Sequence, residues 1–161
     1  MSGTSVSNTF QNFFNNISFN SNISFWDVSN VINMDGMFFN ADLFNQDISS
    51  WDTSKVENMG SLFKNASSFN QSISGWNTSK VTKMLDLFRG ARTFNQDISS
   101  WDTVNVNSMS NMFNGATSFN QDISSWCVSN FSFEPDNFST NSPLIDSCLL
   151  YTSPSPRDLR A

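Results

Sequence analysis

Apolar and polar residues follow a pattern that recurs every 25 residues along the chain. Its clearest marker is a column of tryptophans: Trp26, Trp51, Trp76, Trp101 and Trp126. Phe, Asn and Ile precede each tryptophan at fixed positions, and Val, Met, Phe and Ala follow most of them. A period of this length, held over five copies, is typical of proteins that stack one small unit. The units begin at Phe19, Phe44, Phe69, Phe94 and Phe119.

Two local patterns recur within each unit. The stretch NQDISSW is short, polar and centred on a β-branched residue, which favours a strand of about four residues. Farther on, apolar residues lie three, six, seven and ten positions after Val56. This spacing indicates one face of a short helix, or a mixture of α and 3₁₀ turns. Ser54, two residues before Val56, is a candidate N-cap.

Stacked units of this kind place their strands side by side in parallel, with right-handed crossovers. The predicted fold class is therefore an α/β solenoid, a right-handed coil with one short parallel β-strand and one short helix per 25-residue repeat. A single unit buries too few apolar side chains to offset the entropy of ordering its backbone. Neighbouring units must therefore supply the missing burial.

The pattern divides the chain into three parts. Residues 1–18 resemble the end of an earlier unit and form a partial repeat, either a cap or part of a longer protein. Residues 19–138 hold the five repeats, of which the last weakens after Ser132 and keeps only Phe138 in its column. Residues 139–161 are predicted to be a disordered tail. From about residue 147 this tail resembles a translated library adaptor, the alternative being a natural flexible tail. In the partial repeat, the 25-residue spacing assigns Thr9 to the column of Met34, Phe13 to that of Phe38 and Asn16 to that of Ala41.

The apolar columns are predicted to form the core. The tryptophans are a partial exception, because an indole often stays half exposed with its N–H in water. An exposed tryptophan ladder that grips sugar rings or proteins is the alternative. The asparagine after each Phe is interpreted as structural, since aligned amides can hydrogen-bond one unit to the next. This asparagine ladder contains Asn45, Asn70, Asn95 and Asn120.

Composition narrows the function classes. The chain is rich in Asn and Ser, yet its strict apolar columns argue against a disordered linker. Its net charge of −6 argues against general affinity for nucleic acid. No apolar run is long enough for a transmembrane helix, and the first residues lack the features of a signal peptide.

The consensus W-D-[TV]-S-x-V-x-x-M-x-x-[ML]-F-x-x-A-x-x-F-N-Q-D-I-S covers the chain from about Phe19 to Asn130. It resembles the BspA-like leucine-rich-repeat surface proteins, in particular their branch with 25-residue repeats. The resemblance implies a leucine-rich-repeat-like solenoid at the cell surface or outside the cell, with a role in adhesion or other protein contacts. The chain shows no lipobox, signal peptide or anchor, and this departure leaves its localisation open.

No catalytic residue, cofactor or metal site is predicted, because the chain has no histidine and no nucleophile motif. Asp47, Asp97 and Asp122 share one column, and Asp52 and Asp102 share another. Stacked carboxylates of this kind are a candidate for calcium binding. Capping of turns by the aspartates is the preferred interpretation.

Basic residues also align. Lys55 and Lys80 share a column, as do Lys64 and Arg89. Since stacked like charges repel, these residues are candidates for contact with an anionic partner such as an acidic glycan. The alternative is that two units diverged together and their charges are simply solvated. The candidate surface contacts are Lys55, Lys80, Lys64, Arg89, Asp47, Asp97 and Asp122.

The sequence therefore predicts a non-enzymatic repeat segment that makes protein or glycan contacts at a cell surface. One alternative is an ice- or crystal-surface-binding protein, because two rows of hydroxyls align along the units. These rows are Thr53, Thr78 and Thr103, and Ser29, Ser54 and Ser79, although Val28, Val104 and Val128 interrupt them. Another is a presenting module of a larger enzyme.

Overall fold

A computed structural model describes residues 8–15, 18–131 and 134–143. Over these ranges the chain forms turns, bends and isolated β-bridges, with no helix and no extended strand. The bridges are parallel and join one column of successive units, so that the units stack upon one another. They connect Thr9 to Asn33, Asn33 to Asn58, Asn58 to Lys83 and Lys83 to Ser108.

The prediction of an α/β solenoid with a strand and a helix in every repeat is wrong. Ser61 and Asn65 have φ angles of 51° and 60°, and a right-handed helix cannot continue through such residues. Consecutive tight turns replace the helix, as where the Leu62 N–H donates to the Met59 carbonyl at 3.3 Å. These turns bury positions three or four apart, as a helix would, and this is why the apolar spacing indicated one.

The remaining backbone donors of this segment bond to the next unit. The Met59 N–H donates to the Lys83 carbonyl at 3.0 Å, and the Ser61 N–H donates to the Leu85 carbonyl at 2.8 Å. Local turns and contacts between units thus share the backbone groups that burial would otherwise leave without partners. The parallel pairing that was predicted exists, but as isolated bridges within the segment assigned to the helix.

The stretch NQDISSW is also a turn. Oδ1 of Asp47 accepts a hydrogen bond from the Ser49 N–H at 2.9 Å, and the Trp51 N–H donates to the Ile48 carbonyl at 3.2 Å. An Asp or Asn side chain that binds its own backbone two residues on competes with strand formation. The local chemistry of the aspartate therefore decides against the predicted strand.

The predicted core is confirmed. The Ile, Val, Met, Phe and Ala columns of the central units are fully buried. Phe63 stacks on Phe38 and Phe88, with ring centroids 5.5 Å and 5.7 Å apart. A second phenylalanine column interleaves with this one, as shown by the 4.0 Å between the ring centroids of Phe63 and Phe69. Continuous columns of aromatic rings therefore run along the stack.

The partial repeat at the N-terminal end is one residue shorter than predicted. Phe14 stacks on Phe38 with ring centroids 5.6 Å apart, whereas Phe13 is 56% exposed. Thr9 forms its bridge with Asn33 and not with the methionine that follows it. The assignments of Phe13 and Thr9 to their columns are therefore wrong. Phe19 still stacks on Phe44, the first residue of the next unit, so the missing residue lies between Phe14 and Phe19.

The last repeat is one residue longer than predicted. The Phe113 N–H donates to the Phe138 carbonyl, whereas the Phe63 N–H donates to the carbonyl of Leu87, which precedes Phe88. Phe138 also meets Phe113 edge-on, at an interplanar angle of 82°. Phe138 is buried, but it occupies the neighbouring column, so the prediction that it keeps its column is wrong.

Two predictions lie outside the described residues. One places Asn16 in the alanine column. The other concerns the tail, of which the structure describes only residues 139–143.

Candidate functional site

The asparagine ladder is present and joins each unit to the next. Oδ1 of Asn45 accepts hydrogen bonds from the Asn70 N–H at 2.9 Å and from Nε2 of Gln71 at 3.1 Å. Asn20, Asn70 and Asn95 each accept the equivalent two bonds from the backbone N–H of the asparagine and from Nε2 of the glutamine in the next unit. The last of these donors are Asn120 and Gln121. The structural interpretation of these asparagines is therefore confirmed. The sequence analysis missed the glutamine column, although its repetition at one position marked it.

The tryptophan column does not form a sugar-binding surface. Trp51, Trp76, Trp101 and Trp126 are only 2–4% exposed. Each of these Nε1–H groups donates to an isoleucine carbonyl of the preceding unit, at 3.1–3.2 Å. Trp26 is partly buried at the N-terminal end. The expectation of a solvated N–H is thus wrong for these four indoles, which are core residues with an internal hydrogen bond.

The threonine row is internal as well. Thr53, Thr78 and Thr103 are 1–2% exposed. The Thr78 hydroxyl donates to the Asp102 carbonyl of the next unit at 2.9 Å, and the other two threonines make the equivalent bond. The threonine row of the ice-binding alternative is therefore not available to a crystal surface, whereas its serine row, formed by Ser29, Ser54 and Ser79, is partly exposed.

The aspartates of the first acidic column cap turns. Oδ1 of Asp47, Asp97 and Asp122 each accepts a backbone N–H from the serine two residues on, at 2.9 Å. The pKa of Asp47 and that of Asp97 are lowered first by this backbone N–H and then by the serine hydroxyl. For Asp122 the Ser124 hydroxyl is the larger cause of the lowered pKa. All three carboxylates are exposed, and Asp97 and Asp122 line a shallow depression of about 270 Å³.

The structure gives the acidic columns no evident metal-binding geometry. Within the described ranges, no three Asp, Glu, His or Cys residues lie close enough together to hold a metal ion. Asp52 caps a turn in the same way as Asp47, through the Ser54 N–H at 3.0 Å. The preferred interpretation of the aspartates as turn-capping groups accounts for these contacts.

Lys55 and Lys80 lie on an exposed column. Nζ of Lys55 donates to Oδ1 of Asn30 in the preceding unit at 2.7 Å. In the part of the chain that the structure describes, Lys80 has no side-chain hydrogen bond or ion pair. Asn105 holds the next position and donates to the Ser79 carbonyl at 2.8 Å. The column thus accepts either Lys or Asn without a change in the stack.

Lys64 and Arg89 share a carboxylate that the sequence analysis did not assign. Oδ2 of Asp86 lies 2.8 Å from Nζ of Lys64, and Oδ1 of Asp86 lies 3.5 Å from Nη1 of Arg89. Asp86 is 8% exposed, with a φ of 56°. Its charge offsets the repulsion expected between the two cations. The only sequence signal was that Asp86 takes the place of Ser61 and Asn111 in its column.

A groove on the surface is lined by five polar residues and one glycine. Its volume is about 430 Å³, and it crosses the first three units. Two neighbouring columns line it: Asn40, Asn65 and Gly90 in one, and Asp42, Ser67 and Arg92 in the other. Lys64 and Arg89 directly precede Asn65 and Gly90 in the chain. None of the groove residues was predicted as a site residue, because only the stacking of units brings them together.

A family model described as "Mycoplasma protein of unknown function, DUF285" matches residues 2–79 and, as a second overlapping copy, residues 50–145. No curated protein and no solved structure is significantly similar to the chain. Within the described residues, no helix is long and apolar enough to cross a membrane. The two matches span most of the chain and overlap, as expected for a family whose members are built from repeats. The chain belongs to the DUF285 family.

Proposed function

We propose that the protein is a non-enzymatic repeat scaffold that makes protein or glycan contacts at a cell surface or outside the cell. The groove across three units carries this proposal, because it gathers exposed amide, carboxylate and guanidinium groups in one place. Such groups suit the hydroxyls and charges of a glycan or a polar protein segment. Stacking makes the groove, since no single unit contains it.

The division between constant and variable columns supports the same proposal. The apolar columns are buried, and their indole and threonine donors bond internally. The exposed columns change from unit to unit, as in the series Asn30, Lys55, Lys80 and Asn105. The core therefore maintains the stack, while surface positions are free to adapt to a partner.

The surface location rests on the resemblance to BspA-like surface proteins, and membership of the DUF285 family agrees with it at the level of the repeat. The described chain offers little for catalysis. Its one buried carboxylate, that of Asp86, is held between Lys64 and Arg89 and has a structural role. The alternative of a presenting module in a larger enzyme stays a prediction.

The proposal is tested with beads that carry the purified full chain. We expect these beads to adhere to cells more than beads carrying an unrelated protein of equal size and net charge. Treatment of the cells with protease or with glycosidases then separates a protein partner from a glycan partner. Equal adhesion of the two bead types, together with no binding on a glycan array, would refute the proposal.

A matched variant links any adhesion to the surface columns. Lys55→Asn with Lys80→Asn gives this column the residue that Asn30 and Asn105 already hold there. The double variant should therefore keep its thermal stability. If the lysines contact the partner, adhesion should fall and should depend less on salt.

A further inference from the structure

We infer that the groove across the first three units binds an acidic oligosaccharide, with a carboxylate or sulfate group at Arg92 and sugar hydroxyls along the column of Asn40, Asn65 and Gly90. This inference rests on the proposed function and adds the ligand class and the place. A volume of about 430 Å³ falls within the usual range for ligand pockets, about 300–1,000 Å³.

Gly90 makes room for the amide of Asn65. Asn40 and Asn65 occupy this column in the first two units with φ angles of 57° and 60°, and Gly90 follows with a φ of 70°. A Cβ atom on Gly90 would collide with Oδ1 of Asn65. The Asn65 amide therefore lies over Gly90 in the space that a side chain there would need, and no side chain of the third unit covers it.

The lack of a side chain at Gly90 also leaves a hydrogen-bond acceptor open. Nδ2 of Asn65 donates to Oδ1 of Asn40 at 2.9 Å, so this column has a short amide ladder of its own. The ladder ends at Gly90, which has no amide to donate to the next acceptor. Among the described residues no donor reaches Oδ1 of Asn65, and this oxygen can accept a bond from a sugar hydroxyl.

The exposed guanidinium of Arg92 favours an anionic group of the ligand at its end of the groove. Arg92 is exposed and, within the described residues, forms no ion pair. Its guanidinium is free to bind a carboxylate or sulfate through two parallel hydrogen bonds. Lys64 and Arg89 share the carboxylate of Asp86, and the charge of Lys64 also interacts with that of Asp35, so Arg92 is the cation of the groove lining that is available to a ligand.

Asp42 lies at the opposite end of the column that contains Arg92. A carboxylate accepts hydrogen bonds from sugar hydroxyls, but it repels a second anion. The anionic group of the ligand is therefore placed at the Arg92 end, in the third unit, and neutral hydroxyls are placed at the Asp42 end. This polarity favours oligosaccharides with spaced charges over a continuous run of acidic groups.

The test uses the full chain and isothermal titration with three probes: oligogalacturonate, a sulfated heparin-derived oligosaccharide and a neutral oligosaccharide of equal length. We expect one or both anionic probes to bind at least tenfold more tightly than the neutral probe. Comparison of the first two probes identifies whether carboxylate or sulfate is preferred.

Gly90→Asn is the decisive variant. It places in the third unit the residue that Asn40 and Asn65 provide in the first two, displaces Oδ1 of Asn65 from its present position and offers that oxygen a donor. We expect it to weaken binding at least tenfold. Gly115→Asn is the matched control, since Gly115 lies one unit further along the same column, outside the groove lining. A Cβ atom there meets nothing closer than 3.7 Å, so binding should be unchanged.

Arg92→Ser gives the second unit's residue at that position, Ser67, and should also weaken binding tenfold and reduce its salt dependence. This variant decides the matter if Gly90→Asn fails to fold in a circular-dichroism melt. Anionic probes that bind wild type and both variants equally would overturn the groove while leaving the proposed function standing. Adhesion to cells without binding of either anionic probe would overturn the ligand class, as would tighter binding of a poly-glutamate peptide.

Discussion

The buried threonine row permits a sharp test of how adjacent units are held together. Thr78 is 2% exposed, and its hydroxyl donates to the Asp102 carbonyl of the next unit at 2.9 Å. Thr78→Val removes this hydroxyl while preserving the shape of the side chain. Val28 and Val128 occupy the same column and are 1% and 3% exposed, so valine fits this position.

The expected loss follows from the hydrogen bond alone, since neither a cavity nor strain is introduced. A hydrogen bond of this kind contributes about 0.5–1.5 kcal/mol net to the free energy of unfolding. The Asp102 carbonyl lies in a partly buried setting, so that water replaces the hydroxyl only incompletely. We therefore expect a loss of about 1 kcal/mol, which lowers the Tm by about 2–4 °C in a chain of this size.

The assay is thermal and urea unfolding followed by circular dichroism. Thr82→Val is the control, because the Thr82 hydroxyl also donates to a carbonyl of a neighbouring unit, that of Glu57 at 3.2 Å, but at an exposed position. It should change stability by less than about 0.5 kcal/mol. Equal effects of the two substitutions, or an unchanged Tm for Thr78→Val, would refute the reasoning.

Two further predictions follow from the turn caps and from the register at the N-terminal end. Hydrogen bonds from serine lower the pKa of Asp47, Asp97 and Asp122 in the folded protein. The ionised carboxylates therefore stabilise the fold above their unfolded pKa of about 3.9, and this stabilisation is lost as the pH falls through the folded pKa. The triple Asp→Asn variant keeps the capping oxygens but not their charges, so its Tm should lie below that of wild type at pH 7, and the difference should shrink as the pH falls towards 3; a difference that does not change with pH would contradict this. Phe14→Ala should lower the free energy of unfolding, measured in urea, by about 1–3 kcal/mol, and Phe13→Ala should lower it by less, because only Phe14 continues the ring stack. The reverse order would show that the register is incorrect.

The end repeats show where a fixed period fails as a guide. Extending the 25-residue spacing assigned Phe13 and Phe138 to the column of Phe38, and in the structure neither lies there. A turn-rich unit tolerates the loss of one residue, as between Phe14 and Phe19, or the gain of one, as between Phe131 and Asp136. Sequence spacing cannot detect such a change when a second phenylalanine lies nearby, as Phe14 does.

The candidate groove was beyond sequence reasoning for a related reason. Asn65, Gly90 and Arg92 are unremarkable as single residues, and no motif links them. They become neighbours because residues 25 apart are stacked, and the amide of Asn65 is left uncovered because the column continues with glycine at position 90. The ion pair of Lys64 with Asp86 was missed in the same way, since its partners lie in different units and different columns.

The sequence by itself determined the period, the stacking of units and the identity of the buried columns, because burial depends on side-chain type and a strict repeat brings like residues into contact. Only the tertiary structure decided the backbone conformation. Apolar residues three or four apart suit both a helix and a series of tight turns, and the choice depends on left-handed residues such as Asn65 and on backbone bonds to the next unit. Those bonds span nearly a whole repeat, so no local pattern in the sequence contains them.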